Sequence, residues 1–271
     1  MLPDADAAIT RDGKALILAY DHGIEHGPVD FEPNPETADP ERVFDLATHD
    51  AVTALAVGKG VAEAYYRRYG DDVSLLAKRN GTCELWMGEP DSAVNWSVEY
   101  AAELGADAIG FTLYGGSNNE VEMAEEFRDA QEAARANDMG VVMWSYPRGQ
   151  GLKNDTSPDT IAYAARLGRS RVLDLRDVGT EFQPEAMGEA ARMAGPTKVV
   201  MSGGSKTDDR AFLETVAGAI DGGAKGLAVG RNVFQRENPE EILGALEAVI
   251  FEEASVDEAL ELTSASAVAD D

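Results

Sequence analysis

An α/β chain folded as a single-domain (β/α)₈ TIM barrel is what this sequence predicts, on three grounds. Short apolar runs alternate with amphipathic segments from one end to the other. The runs are continuously apolar rather than alternating, the mark of a parallel sheet covered on its outside. Eight such units fit a closed barrel, and 271 residues at 44% hydrophobic content can bury one substantial core.

The strands are expected at Ala15–Tyr20, Val52–Val57, Val73–Ala77, Ala108–Leu113, Val141–Ser145, Val172–Leu175, Val199–Ser202 and Gly226–Val229. Between them, helical periodicity runs over Pro40–Ala47, Val61–Arg68, Ala93–Leu104, Val121–Ala136, Pro158–Leu167, Pro184–Met193, Asp208–Ile220 and Pro239–Phe251. Several helices open on a capping residue followed by proline, as at Ser157-Pro158 and Asn238-Pro239-Glu240. A doubly wound open sheet is the alternative, but no GxGxxG or P-loop glycine pattern follows the first strand. The barrel is expected over residues 1–252. Residues 253–271 read as an acidic tail with one short helical pattern, partly frayed.

Fifty acidic residues against 23 basic ones give a formal charge of −27, which repels nucleic-acid phosphates and anionic lipid. Neither nucleic acid nor membrane is expected as a partner. The acids lie between apolar, periodic segments, so the charge reads as a solvated shell around an ordinary core. With seven lysines against sixteen arginines, a halophilic cytosol is the expected setting. The opening MLPDADAAITRDGK has no basic stretch ahead of an apolar run, and no segment approaches the roughly 20 apolar residues that span a bilayer. A cytoplasmic chain is expected. One cysteine, Cys83, excludes an intrachain disulfide and a cysteine-cluster metal site.

In such barrels chemistry lies where strands end at their C-termini and in the loops that follow. The seventh strand runs into Ser202-Gly203-Gly204-Ser205-Lys206 and the eighth into Gly230-Arg231-Asn232. Glycines ahead of a helix expose backbone N–H groups that cradle phosphate, and Arg231 adds charge. The alternative is that Gly203, Gly204 and Gly230 only permit tight turns. Asp21 ends a buried strand, where a carboxylate must hold a partner or work as an acid or base. Tyr146 occupies the same position on strand five and could move a proton, or be buried for packing alone. His22 and His26 in HGIEH lack the HExxH order, and Gly23 and Gly27 oppose a helix there, so no metal or other cofactor is expected. Structural hydrogen bonding or substrate contact suits these histidines better.

Taken jointly, LAYDHGIEHGP (Leu18 to Pro28), GEP (Gly88 to Pro90), WSYPRG (Trp144 to Gly149), NDTSP with AYAAR (Asn154 to Arg166), VVMSGGSKT (Val199 to Thr207) and GLAVGRNVFQR (Gly226 to Arg236) resemble the archaeal-type class I fructose-bisphosphate aldolases of the DeoC/FbaB group. The likeness runs from Ala15 to Val249. It implies a (β/α)₈ barrel, assembled as a homo-oligomer, that needs no metal and acts on a phosphorylated sugar. It implies reversible cleavage of fructose 1,6-bisphosphate through a Schiff base on a strand-six lysine. Tyr146 would then transfer a proton at carbon, Asp21 would serve the hydroxyl and carbinolamine steps, and Trp144 would shape the pocket. Ser202, Gly203, Gly204, Gly230 and Arg231 would hold phosphate.

The sixth strand departs from the family, whose members read approximately LGADxxKxxYTGD. The stretch Gly168 to Thr180 here is GRSRVLDLRDVGT, and no lysine occurs between Lys153 and Lys198. Ungapped spacing puts Asp177 at the lysine's place, and matching the apolar pattern puts Asp174 there. Neither can form an iminium. Three readings stay open: a local sequence error in 168–182, relocation of the amine to Lys78 or Lys59, and a barrel that binds sugar phosphate without cleaving it. A related synthase of 2-amino-3,7-dideoxy-D-threo-hept-6-ulosonate, for aromatic amino-acid biosynthesis, is a further alternative.

Overall fold

The computed structural model describes residues 7–21, 25–83, 85, 88–155, 157–167, 171–173 and 184–264. Strands β1 (Ala15–Tyr20), β2 (Ala54–Val57), β3 (Leu75–Lys78), β4 (Ala108–Gly115), β5 (Gly140–Pro147), β6 (Arg171–Leu173), β7 (Val199–Ser202) and β8 (Gly226–Val229) form one closed barrel. Every barrel pairing is parallel, and Leu18 of β1 lies opposite Leu55 of β2 on one side and Val229 of β8 on the other. The expected fold class is the one found.

Helices cover the outside: α1 (Pro40–Ala47), α2 (Lys59–Tyr65), α3 (Val98–Leu104), α4 (Glu120–Ala136), α5 (Pro158–Leu167), α6 (Pro184–Ala194), α7 (Asp209–Asp221), α8 (Arg231–Phe234), α9 (Pro239–Phe251) and α10 (Val256–Ser264). Their starts follow from capping chemistry. Asp39 accepts the Glu41 N–H at 3.0 Å with Pro40 at the first helical position, and Asp208 accepts the Ala211 N–H at 3.0 Å. The continuous apolar runs are buried because the strands face side chains inward and helices outward. Leu16, Leu18, Leu55, Leu75 and Leu227 are completely excluded from water. Helix α10 packs on α7 and α9, with Ala259 buried and Asp257 accepting from Arg210 at 2.8 Å.

Two differences from the sequence reading bear on the site. The helix expected from Ala93 begins at Val98, where Ser97 caps the Tyr100 N–H, while Ala93–Val94 pairs antiparallel with Asn80–Gly81. Asn80 is the reason: its side chain donates to Thr112 O at 2.8 Å and accepts from Thr112 N at 2.6 Å, continuing the ladder to β4 after β3 has left it. That bond holds 80–81 extended and gives 93–94 an edge to pair with. Strand β3 also runs one residue further than expected, through Lys78. Strand β6 is described only over Arg171–Leu173, so Asp174 and Asp177 lie outside the described residues.

Candidate active site

A pocket opens at the C-terminal mouth of the barrel. Ala19, Asp21, His26, Trp144, Tyr146, Ser202, Gly203, Gly204, Ala228, Gly230 and Arg231 line it. All eight described residues expected to work on substrate, namely Asp21, Trp144, Tyr146, Ser202, Gly203, Gly204, Gly230 and Arg231, are in that lining. Asp177 falls outside the described residues, as does His22.

The barrel's alternation explains the convergence, because residues two apart on a strand share a face. Ala19 and Asp21 follow one another inward from β1, and Trp144 and Tyr146 from β5. Both aromatic side chains are almost wholly buried. The Arg148 guanidinium lies over the Tyr146 ring, 5.0 Å from its centre, and the Tyr114 ring lies 6.0 Å away.

Beside the Trp144 ring is a charge cluster that single motifs do not reveal. Lys78, the last residue of β3, points inward with its side chain 3% exposed. Its Nζ donates to Asp21 Oδ2 at 2.8 Å, lies 3.6 Å from Glu25 Oε1, and stands 4.6 Å from the centre of the Trp144 ring. Gly110 makes room for this arrangement. A Cβ there would come within 2.7 Å of the Trp144 ring and 3.2 Å of Lys78 Cδ. The Trp96 indole N–H donates to Lys78 O at 2.8 Å and fixes the backbone beneath. Lys59, by contrast, lies on α2, half-exposed beside Glu63 and the Tyr100 ring.

The phosphate loops are tied together by Asn232, the second residue of α8. Its Nδ2 donates to Gly203 O at 2.5 Å and Ser205 O at 2.8 Å, and its Oδ1 accepts from Thr207 N at 3.1 Å. Gly203 does not offer the pocket its N–H, which bonds Ala228 O at 2.8 Å. Its lack of a side chain lets the loop pack against β8, since a Cβ there would lie 2.8 Å from Val229 Cγ2. Gly204 takes φ +59, the left-handed turn that lets the loop double back. Arg231 stands on the rim with Asp30 Oδ2 3.9 Å from its Nε, too long for a direct hydrogen bond.

Sequence reading missed Lys78 as a member of the resting cluster, along with Glu25 and Asn232. The signal for Asn232 was in GRN, one place beyond the glycine and arginine, and Glu25 lay between the two histidines.

A parallel barrel that gathers a carboxylate, a primary amine and a phenol at its C-terminal mouth, beside two glycine loops, defines a carbon–carbon lyase of the aldolase type. Residues 15–236 match the family described as DeoC/LacD family aldolase. The chain belongs to that family. It is 71% identical over 260 residues to the fructose-bisphosphate aldolase class 1 of Halobacterium salinarum, spanning 96% of this chain and 99% of that one. The enzyme of the same name from Thermoproteus tenax is 43% identical over 242 residues, 89% of this chain and 91% of its own. Among solved structures, an archaeal fructose 1,6-bisphosphate aldolase superposes with TM-score 0.85 at 41% identity, covering 93% of this chain and 100% of that chain. Another archaeal fructose-1,6-bisphosphate aldolase, with its catalytic Lys covalently bound to the carbinolamine intermediate, gives TM-score 0.85 at 40% identity over 92% of this chain and 99% of that chain.

Proposed function

We propose that this chain is a class I, metal-independent fructose-bisphosphate aldolase. It cleaves fructose 1,6-bisphosphate reversibly to dihydroxyacetone phosphate and glyceraldehyde 3-phosphate, the carbon–carbon step shared by glycolysis and gluconeogenesis. The observation that carries the reading is the single pocket in which Asp21, Trp144 and Tyr146 face the Ser202–Gly204 and Gly230–Arg231 loops, in a chain so close to the Halobacterium salinarum aldolase.

Each residue has a task that its position suits. Arg231 and the loop N–H groups hold a substrate phosphate and so fix the ketone carbon relative to β1 and β5. A primary amine condenses with that ketone, and the resulting iminium accepts the electron pair released when the carbon–carbon bond breaks. Asp21 shuttles protons between nitrogen and oxygen during carbinolamine formation and dehydration. The Tyr146 phenol returns a proton to the enamine carbon. Trp144 walls the reacting centre from water and offers its face to the cation.

The assembly is a homo-oligomer in a cytoplasm of high ionic strength. The relative from Halobacterium salinarum and the charge of −27 support the saline setting. No helix among the described residues is long and apolar enough to cross a membrane.

The test is cleavage of fructose 1,6-bisphosphate in molar KCl with excess EDTA, followed by enzymatic detection of both triose phosphates. Cleavage undiminished by EDTA is expected. Binding of the bisphosphate without cleavage would replace the aldolase with a sugar-phosphate-binding barrel. Light scattering reads the oligomer.

A further inference from the structure

We propose that Lys78 is the amine that forms the covalent imine with the substrate ketone in this chain. The inference rests on the aldolase reading above and deepens it by naming the nucleophile.

Imine chemistry requires a primary amine at the mouth of the barrel, removed from water and beside a group that can take its proton. The chain has seven lysines, and their positions separate them sharply. Lys14 precedes β1 at the opposite end of the barrel and donates to Ile250 O at 2.6 Å. Lys198 and Lys225 immediately precede β7 and β8 at that same far end. Lys59 belongs to an outer helix and pairs with Glu63. Lys153 is exposed in the loop after β5, and Lys206 donates to Gln235 O at 2.7 Å beyond the phosphate loop. Lys78 ends a barrel strand at the catalytic end, faces inward, and touches two residues that line the pocket, Asp21 and Trp144.

Its surroundings match the successive needs of the reaction. At rest the ammonium is held by Asp21 and Glu25 behind the pocket wall, with 3% of its side chain exposed. Rotation about the outer torsions of the four-carbon side chain turns the nitrogen toward the ketone while it stays within reach of Asp21. The ammonium gives one proton to the Asp21 carboxylate, and the nitrogen lone pair forms a C–N bond as the carbonyl π pair moves to oxygen. Asp21 protonates that oxygen, takes a proton from nitrogen to leave a neutral carbinolamine, and then protonates the hydroxyl. Water departs as the nitrogen lone pair forms the C=N⁺ bond. The sum is ammonium plus ketone giving iminium plus water, with charge conserved and nothing oxidised. The iminium carries the ammonium's single positive charge near the same carboxylates and the Trp144 face, so the groups that stabilise the resting cation also stabilise the product cation. Gly110 supports this use of the space, because any side chain there would drive Lys78 and Trp144 apart.

The experiment is borohydride trapping on the full chain with dihydroxyacetone phosphate in molar KCl, followed by proteolysis and mass spectrometry, alongside the cleavage assay. The expected result is a reduced adduct on the peptide carrying Lys78. The second arm is Lys78→Arg, which keeps a cation facing Asp21 and Glu25 but cannot form an imine. It should lose the adduct and on the order of 10⁴-fold in cleavage rate while retaining a cooperative thermal transition. Should that variant fail to fold, adduct mapping on the unsubstituted chain decides alone. An adduct on any other residue, cleavage without an adduct, or full activity in Lys78→Arg overturns the assignment and leaves the chain a fructose-bisphosphate aldolase. Absence of both adduct and cleavage overturns the aldolase reading itself, and the assignment with it.

Discussion

Lys78 and Asp21 meet at 2.8 Å although 57 residues separate them in the chain and the whole of β2 lies between their strands. Barrel curvature makes the contact, since inward-facing ends of non-adjacent strands converge at the mouth. The pair therefore belongs to the closed barrel and has no counterpart in any local segment.

Breaking it from either side should have unequal consequences. Lys78→Met removes the cation that Asp21 and Glu25 share, and is expected to lower unfolding stability by about 3–5 kcal/mol. Asp21→Asn leaves Lys78 beside Glu25 and should lose about 1–3 kcal/mol while abolishing cleavage. Urea unfolding in constant molar KCl measures both. Equal losses from the two substitutions would contradict the arrangement of one cation between two carboxylates.

Gly110→Ala should act at a distance from any substrate contact. The added methyl meets the Trp144 ring at 2.7 Å, and overpacking of this kind costs about 1–3 kcal/mol. Because Trp144 forms the pocket wall, kcat for fructose 1,6-bisphosphate cleavage should fall while far-ultraviolet circular dichroism is unchanged. A variant with wild-type kcat would show that the indole can yield without consequence.

The phosphate loops predict a separable effect on binding. Arg231→Ala removes a charged partner worth about 1.5–3 kcal/mol, so kcat/KM should drop roughly 10–150-fold, mostly through KM. Asn232→Ala unties the Gly203 and Ser205 carbonyls and should raise KM while also lowering stability. Steady-state kinetics, with inorganic phosphate as competitive ligand, distinguishes the two.

Charge sets the salt response. With a formal charge of −27, self-repulsion is relieved as screening lengths shrink to about 3 Å at 1 M. The melting temperature should therefore climb between 0.1 and roughly 2 M KCl. A steady fall would count against a halophilic protein.

The alkaline limit of stability has identifiable sources. Burial first, then Asp39 and Tyr65, pushes the Tyr20 phenol up to about 12, and burial with Asp107 and Asp71 does the same for Tyr66. Both phenols donate to backbone carbonyls, Tyr20 to Thr37 O at 2.9 Å and Tyr66 to Gly105 O at 3.1 Å. A folded pKa above the unfolded value near 10 means their contribution is complete below about pH 10 and is lost as pH rises toward 12. The double variant Tyr20→Phe, Tyr66→Phe should be less stable at neutral pH and show a flatter decline between those limits, read by alkaline denaturation.

Much of this molecule was legible before its structure. The barrel strands announced themselves because a parallel strand buried on both faces must be apolar throughout, and polar residues at their ends marked the mouth. Asp21 and Tyr146 could be picked out for that reason, whereas Trp144 came only with the resemblance of the WSYPRG phrase. Lys78 could not be placed so firmly, since the apolar run appeared to stop at Ala77 and the value of the next residue depends on partners brought by β1 and β5. The false helical start at Ala93 has the same origin. Local periodicity there carries no trace of the Asn80 amide, which recruits 93–94 into a ribbon from 13 residues upstream.

Asn232 gives the phosphate loops a further property. By bonding carbonyls on both sides of the β7 turn from within α8, it makes two chain crossings move as one rigid body. The entropy of ordering them is settled when the barrel closes, so an arriving phosphate meets a cup already shaped, and its binding energy remains available to strain and orient the sugar.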